Sequence, residues 1–155
     1  MATRISKESL RKYFISVLDK EQVKKYVEGA SLLKQNKFKP KMLRDYTPKM
    51  MYQRIPGGGI LKKAAGVCKG CNDIRIADWI LVDSVEAKAT VRHEIAHALQ
   101  HYKCGMNIRS HGKEFIEALK VVSPNNWRAD RHYKETSEII KARTKSFSNK
   151  KISLR

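Results

Sequence analysis

The chain is short of acid. Fifteen Asp and Glu stand against thirty-three Lys and Arg in 155 residues, a net charge of +18. Such a balance points to a polyanionic partner, nucleic acid above all, with an anionic membrane surface or plain solubility as blander uses. Cysteine is scarce too: three residues, an odd number, with Cys68 and Cys71 too close together to staple a fold. That argues against a disulfide framework and for a reduced, intracellular chain, nuclear in a eukaryote or cytoplasmic in a bacterium or a virus of one. No apolar run reaches the length of a signal peptide or a membrane span, so no membrane partner is expected. What remains is a chain long enough for one core, of ordinary hydrophobic content at 41%.

Periodicity sketches the elements. Leu10, Phe14, Val17 and Leu18 recur at helical spacing within 6–18, and Asp19 with Gln22 reads as a capping box for a second helix using Val23, Tyr26, Val27 and Ala30. From Lys34 to Lys63 the pattern dissolves among Pro40, Pro48 and Pro56, ending in "PGGG". Residues 60–82 read as two or three short strands, with "CKGC" at a hairpin turn and "DIRIADWILV" as a strand growing apolar. Asp83 and Glu86 form a second capping box, opening a helix to about Cys104 that Gly105 can end. Ser110 is the expected cap of a further helix with Phe115, Ala118, Leu119 and Val122 on its buried stripe. A last helix is expected over 128–143, followed by a frayed basic tail.

Charge is unevenly spread. Residues 67–122 hold eight basic and seven acidic side chains, whereas 1–66 hold sixteen against five and 123–155 nine against three. A nearly neutral centre is thus flanked by basic segments. In 34–63, nine cations interleave with Phe38, Tyr46 and Tyr52, as in surfaces that stack single strands. Lys37, Lys39, Lys41 and Arg44 there, and Lys141, Arg143, Lys145, Lys150 and Lys151 near the C-terminus, are the candidate nucleic-acid contacts. A solvated face is the alternative. Trp79 and Trp127 read as core.

The neutral centre holds four of the five histidines. In "HEIAH", His93 and His97 leave one helix face about 6 Å apart along the axis, close enough to share a tetrahedral zinc. Glu94 follows the first of them, near the metal but not aimed at it, and can take a proton from an attacking water. Val91, Ile95, Ala98, Leu99 and Tyr102 gather on the opposite side, leaving the histidine face for a site. For a third ligand, His101 lies about 12 Å along the axis from His93, too far for one straight helix to supply all three. His111, expected in the first turn of the next helix, can fold back over the pair; His132 is its rival.

"HEIAHAL", a thirteen-residue gap after His97, and then "HGKEF" resemble the SprT-like zinc metallopeptidase family, which includes the Spartan proteases. "GVCKGCNDIRIADWILVDS" is similar to that family's strand pair before the active-site helix. The resemblance covers roughly 60–122. It implies an α+β, zincin-like core with N-terminal helices, a small antiparallel sheet and a third ligand on the helix after HExxH. It further implies one Zn²⁺ held by His93, His97 and His111, with Glu94 as general base. The organisation it suggests is a peptidase domain over 1–122, divided into a basic helical part (1–59) and a sheet and metal core (60–122), then a basic C-terminal segment (123–155). Family members of known role cleave proteins crosslinked to DNA, which makes DNA and protein substrates the expected partners. Many members also carry a zinc ribbon of two CxxC pairs after the core; here no cysteine follows Cys104.

The expected chemistry is peptide hydrolysis, with His101, Arg109, His132 or Tyr133 facing the developing oxyanion. Two readings compete: a DNA-binding protein with a structural zinc, and a metalloprotease indifferent to DNA.

Overall fold

The structure is a computed structural model that describes residues 3–31, 41–46, 65–69, 73–104, 111–132, 134 and 136–153. Helix α1 (Lys7–Leu18) starts where the Ser6 hydroxyl accepts from the Ser9 amide, and it buries Leu10, Phe14 and Val17. Asp19 closes α1, its amide donating to the Ile15 and Val17 carbonyls. It therefore does not open a capping box: α2 (Glu21–Ser31) is led in by the Lys20 carbonyl, which accepts from Val23 and Lys24.

The sheet is mixed, not antiparallel. β2 (Gly66–Lys69) and β3 (Asp73–Ala77) form the expected antiparallel pair, in register from Gly66 opposite Ile76 to Lys69 opposite Asp73. β1 (Lys41–Tyr46) lies parallel to β3 on its other edge, giving the order β1-β3-β2. Its segment, "KMLRDY", carries three charges and no alternation, so an edge strand formed where only loop was expected. The central strand is apolar, with Ile74 and Ala77 fully buried. "DWILV" leaves the sheet as a 3₁₀ turn over Asp78–Val82, burying Trp79, Ile80 and Leu81.

Helix α3 (Ser84–Cys104) is the axis of the molecule, packed by α1, α2, α4 and the sheet. Asp83 caps it, accepting from the Val85 and Glu86 amides. Glu86 does not complete the box; its carboxylate accepts from the Lys134 amide instead. The helix is buried on more than one face: Thr90, Glu94, His97 and Gln100 lie inside along with Val91, Ile95, Ala98 and Leu99. The expected division into a core face and an open face is corrected accordingly, because α4 covers the histidine side.

Helix α4 (Lys113–Val122) begins two residues later than a Ser110 cap would have it, with Gly112 at its N-cap, and it buries Phe115, Ala118, Leu119 and Val122. The expected helix over 128–143 is two helices: α5 (Trp127–Asp130), and α6 (Ser137–Ser153), which runs through most of the supposed tail. Both pack on the same core. Ile139 is fully buried, and the Arg143 guanidinium lies over the Trp79 ring at 5.6 Å. Among the described residues no helix is long and apolar enough to cross a membrane.

Candidate metal centre

His93 and His97 project from α3 four residues apart, and His111 reaches them from the turn just before α4. Their Nε2 atoms form a triangle with edges of 3.2, 3.2 and 3.4 Å. The other ring nitrogens define its chemistry. His93 Nδ1 donates to the Asp130 backbone carbonyl at 2.8 Å, and His97 Nδ1 donates to Gln100 Oε1 at 3.2 Å. Carbonyl oxygens only accept, so the protons sit on Nδ1 and both Nε2 atoms present lone pairs. A proton brought by His111 can satisfy one edge of such a triangle at a time; a cation inside satisfies all three. Three nitrogens bound tetrahedrally at 2.0–2.1 Å lie roughly 3.3–3.4 Å apart, which is the spacing found. The donor set therefore fits a Zn²⁺-like ion.

Phe115 is the floor of this centre. Fully buried on the first turns of α4, its ring lies 4.2 Å from His97, 4.9 Å from His93 and 5.1 Å from His111, centroid to centroid. The aromatic surroundings matter electrostatically. Burial pushes His93 down to about 4, against the opposing bond to Asp130, and pushes His97 down to about 3. His111 is lowered as well, by burial and then by the charges of His132 and Arg131. All three rings are held neutral near pH 7, the form in which they could hold a metal ion. Glu94 is shifted the other way: buried, with 5% of its surface exposed, its carboxyl rises to about 8 through loss of solvent. A dication nearby would pull it back toward ionisation.

The family model for the SprT-like family matches residues 28–137. The chain belongs to the SprT-like family. Comparison with curated proteins and with solved structures gives no match.

Of the other side chains singled out from sequence, His101 stacks at 6.3 Å on His97, and its buried Nδ1 has no hydrogen-bond partner among the described residues. It does not join the three ligands. His132 is exposed just beyond α5, close enough for its charge to act on both His93 and His111. Arg109, Tyr133, Lys37 and Lys39 lie outside the described residues, as does Cys71. Lys41 and Arg44 fall on β1 and Lys150 and Lys151 on the end of α6, with side chains outside the described ones. Lys141 and Lys145 are exposed on α6. Arg143 is corrected: at 7% exposure, with its guanidinium against Trp79, it has little surface left for a phosphate. Cys68 is half-buried on β2 and Cys104 exposed at the end of α3, neither of them in the metal cluster.

Sequence reasoning missed the residues around the ligands. Gln100 was legible in principle, since position i+3 from His97 faces the same side of the helix. Asp130 was not. It lies thirty-seven residues from the ring its carbonyl bonds, and only the tertiary fold brings them together.

Proposed function

We propose that this SprT-like protein is a zinc-dependent endopeptidase acting on proteins bound or crosslinked to DNA, built on a zincin-like core. The observation that carries the peptidase reading is the triangle of Nε2 atoms with Glu94 next in sequence to one of its corners. Zinc held there would acidify water toward a pKa of about 7 and polarise a carbonyl. Glu94, on the same helix, takes the proton of the attacking water and returns it to the leaving amine. Its burial suits a base that must not be swamped by solvent. His132 is the side chain we assign to face the oxyanion, because it is exposed and near enough for its charge to act on His93 and His111. An extended substrate can add to the outer edge of β2, which packs against α3.

Support for the DNA part is charge. The excess of cations lies outside 67–122, so polyanion binding and hydrolysis occupy different segments of one chain. The deciding experiment is Glu94→Gln. The variant should bind metal as before and lose cleavage of an unfolded protein substrate, since an amide cannot accept the proton. Unchanged turnover would leave the zinc a structural role or hand the proton to another base.

A further inference from the structure

We propose that Asp130 is the positioning residue of the metal centre: its carboxylate, gripped by Arg92, aims its backbone carbonyl at His93 Nδ1. The inference rests on the metal reading above and adds how one of its ligands is held.

Four hydrogen bonds carry it. Arg92 Nε donates to Asp130 Oδ2 at 2.6 Å and Arg92 Nη2 donates to Oδ1 at 2.9 Å, a two-toothed fork. Arg92 Nη1 donates to the Tyr13 hydroxyl at 2.7 Å, which ties α1 into the same knot. The fourth is the 2.8 Å bond from His93 Nδ1 to the Asp130 carbonyl. Arg92 precedes His93 in the chain, so α3 both carries the ligand and grips the residue that orients it. The result is a closed ring through Arg92, Asp130 and His93.

Position explains this knot better than stability does. The Asp130 side chain is 1% exposed and that of Arg92 16%. A buried ion pair gains little over well-packed apolar side chains, because desolvation offsets the attraction. Its planar fork does fix distance and direction at once, which a hydrophobic contact would not. α5 needs such an anchor: four residues are too few to hold a helix by themselves. Were the carboxylate released, the carbonyl at the end of that single turn would lose its aim. His93 would then be free to change tautomer or rotate its Nε2 away from the other two. His132, two residues on, would lose its anchor with it.

The experiment measures Zn²⁺ affinity by chelator competition, and the Co²⁺ ligand-field spectrum at saturating metal, on the full chain. Asp130→Asn and Arg92→Lys should each weaken zinc about 10- to 100-fold, as loss of a ligand's outer partner does. Both should alter the Co²⁺ spectrum. Ile139→Ala, a core truncation on α6, which packs on the 3₁₀ turn and not on α1 or α5, is the control; it should lower the unfolding temperature yet leave affinity and spectrum alone. If Asp130→Asn does not fold, Arg92→Lys carries the test, and Tyr13→Phe, which removes only a hydroxyl, should shift affinity in the same direction by less. Folded Asp130→Asn or Arg92→Lys with wild-type affinity and spectrum overturns the proposal, as does an equal loss in Ile139→Ala. A wild-type protein that binds no zinc overturns the metal reading itself, and this inference with it.

Discussion

A Cβ placed on Gly66 would lie 2.9 Å from Cγ of Glu94, with the Thr90 methyl at 3.1 Å and the Arg75 carbonyl at 3.2 Å. Strand β2 thus approaches α3 more closely than any side chain allows, at the level of the residue assigned as base. The strand packs on the Glu94 side chain and is part of the burial that raises its carboxyl to about 8. Gly66→Ala should therefore displace either the strand or the base. We expect turnover to fall about 10- to 100-fold with zinc content unchanged, the scale on which small misplacements of a catalytic group act. Stability should drop by roughly 1–3 kcal/mol from overpacking. Turnover and metal content measured on the same preparation decide it; wild-type turnover would mean that the strand moves aside and the base does not.

The ligand assignment makes a sharper forecast. If the wild type holds the one equivalent of zinc proposed, His93→Ala, His97→Ala and His111→Ala should each lose it on gel filtration. His101→Ala should keep it, since His101 stacks on His97 without joining the triangle. Elemental analysis of the four proteins is sufficient. Full retention by His111→Ala would remove the third ligand and return His132 to contention.

How much of this was legible in the chain depends on the range over which each feature is determined. The HExxH helix, its Asp83 cap and its end near Cys104 follow from local spacing, and they appear where expected. So does the β2–β3 pair, because an antiparallel hairpin is a neighbour-to-neighbour structure. β1 was not legible: its partner β3 lies some thirty residues on, and nothing in "KMLRDY" announces a strand. The three ligands follow from spacing plus one reversal of the chain. The settings that make them neutral and directed do not, because Asp130, Phe115 and the α4 cover reach them only through packing. Arg143 shows the opposite failure. Counted with the surface cations by composition, it is spent on Trp79.

The shifted groups oppose each other in pH. Consider the chain stripped of metal by a chelator. Glu94, raised to about 8 when folded against an ordinary 4.5, is protonated in both states at low pH. As pH rises past 4.5 the unfolded chain ionises it and the folded one does not, so stability falls until the folded carboxyl also ionises near 8. His93 and His97, held down at about 4 and 3, act oppositely. Below 6.5 the unfolded chain takes up protons that the folded one refuses, and stability falls as pH falls. Glu94→Gln removes only the first effect. Urea midpoints from about pH 4.5 to 8 should show the variant gaining on the wild type by a few kcal/mol in order of magnitude. Parallel curves would show that Glu94 is not held neutral by burial.

DNA binding, if it serves the peptidase, should be electrostatic and should depend on the ends of the chain more than on the metal centre. Truncation at 141 is a poor test, because it strips Arg143 from Trp79 and disturbs the packing of α6 on the core. Charge removal is cleaner. Lys145, Lys150 and Lys151 can be changed together to Gln, and Lys37, Lys39, Lys41 and Arg44 to Ala in a second protein. Each lysine or arginine that neutralises a phosphate releases condensed counterion, so the slope of log affinity against log salt should flatten by roughly 0.7–0.9 for each phosphate no longer neutralised. Zinc content and cleavage of a DNA-free substrate should stay at the wild-type level in both proteins. The second set should weaken single-stranded DNA more than duplex if Phe38, Tyr46 and Tyr52 stack bases beside those cations. DNA added at low salt should stimulate cleavage by the intact protein and stimulate it less in either variant. Cleavage that ignores DNA, in a protein whose affinity for it is weak even at low salt, would make this a DNA-independent peptidase with a basic surface.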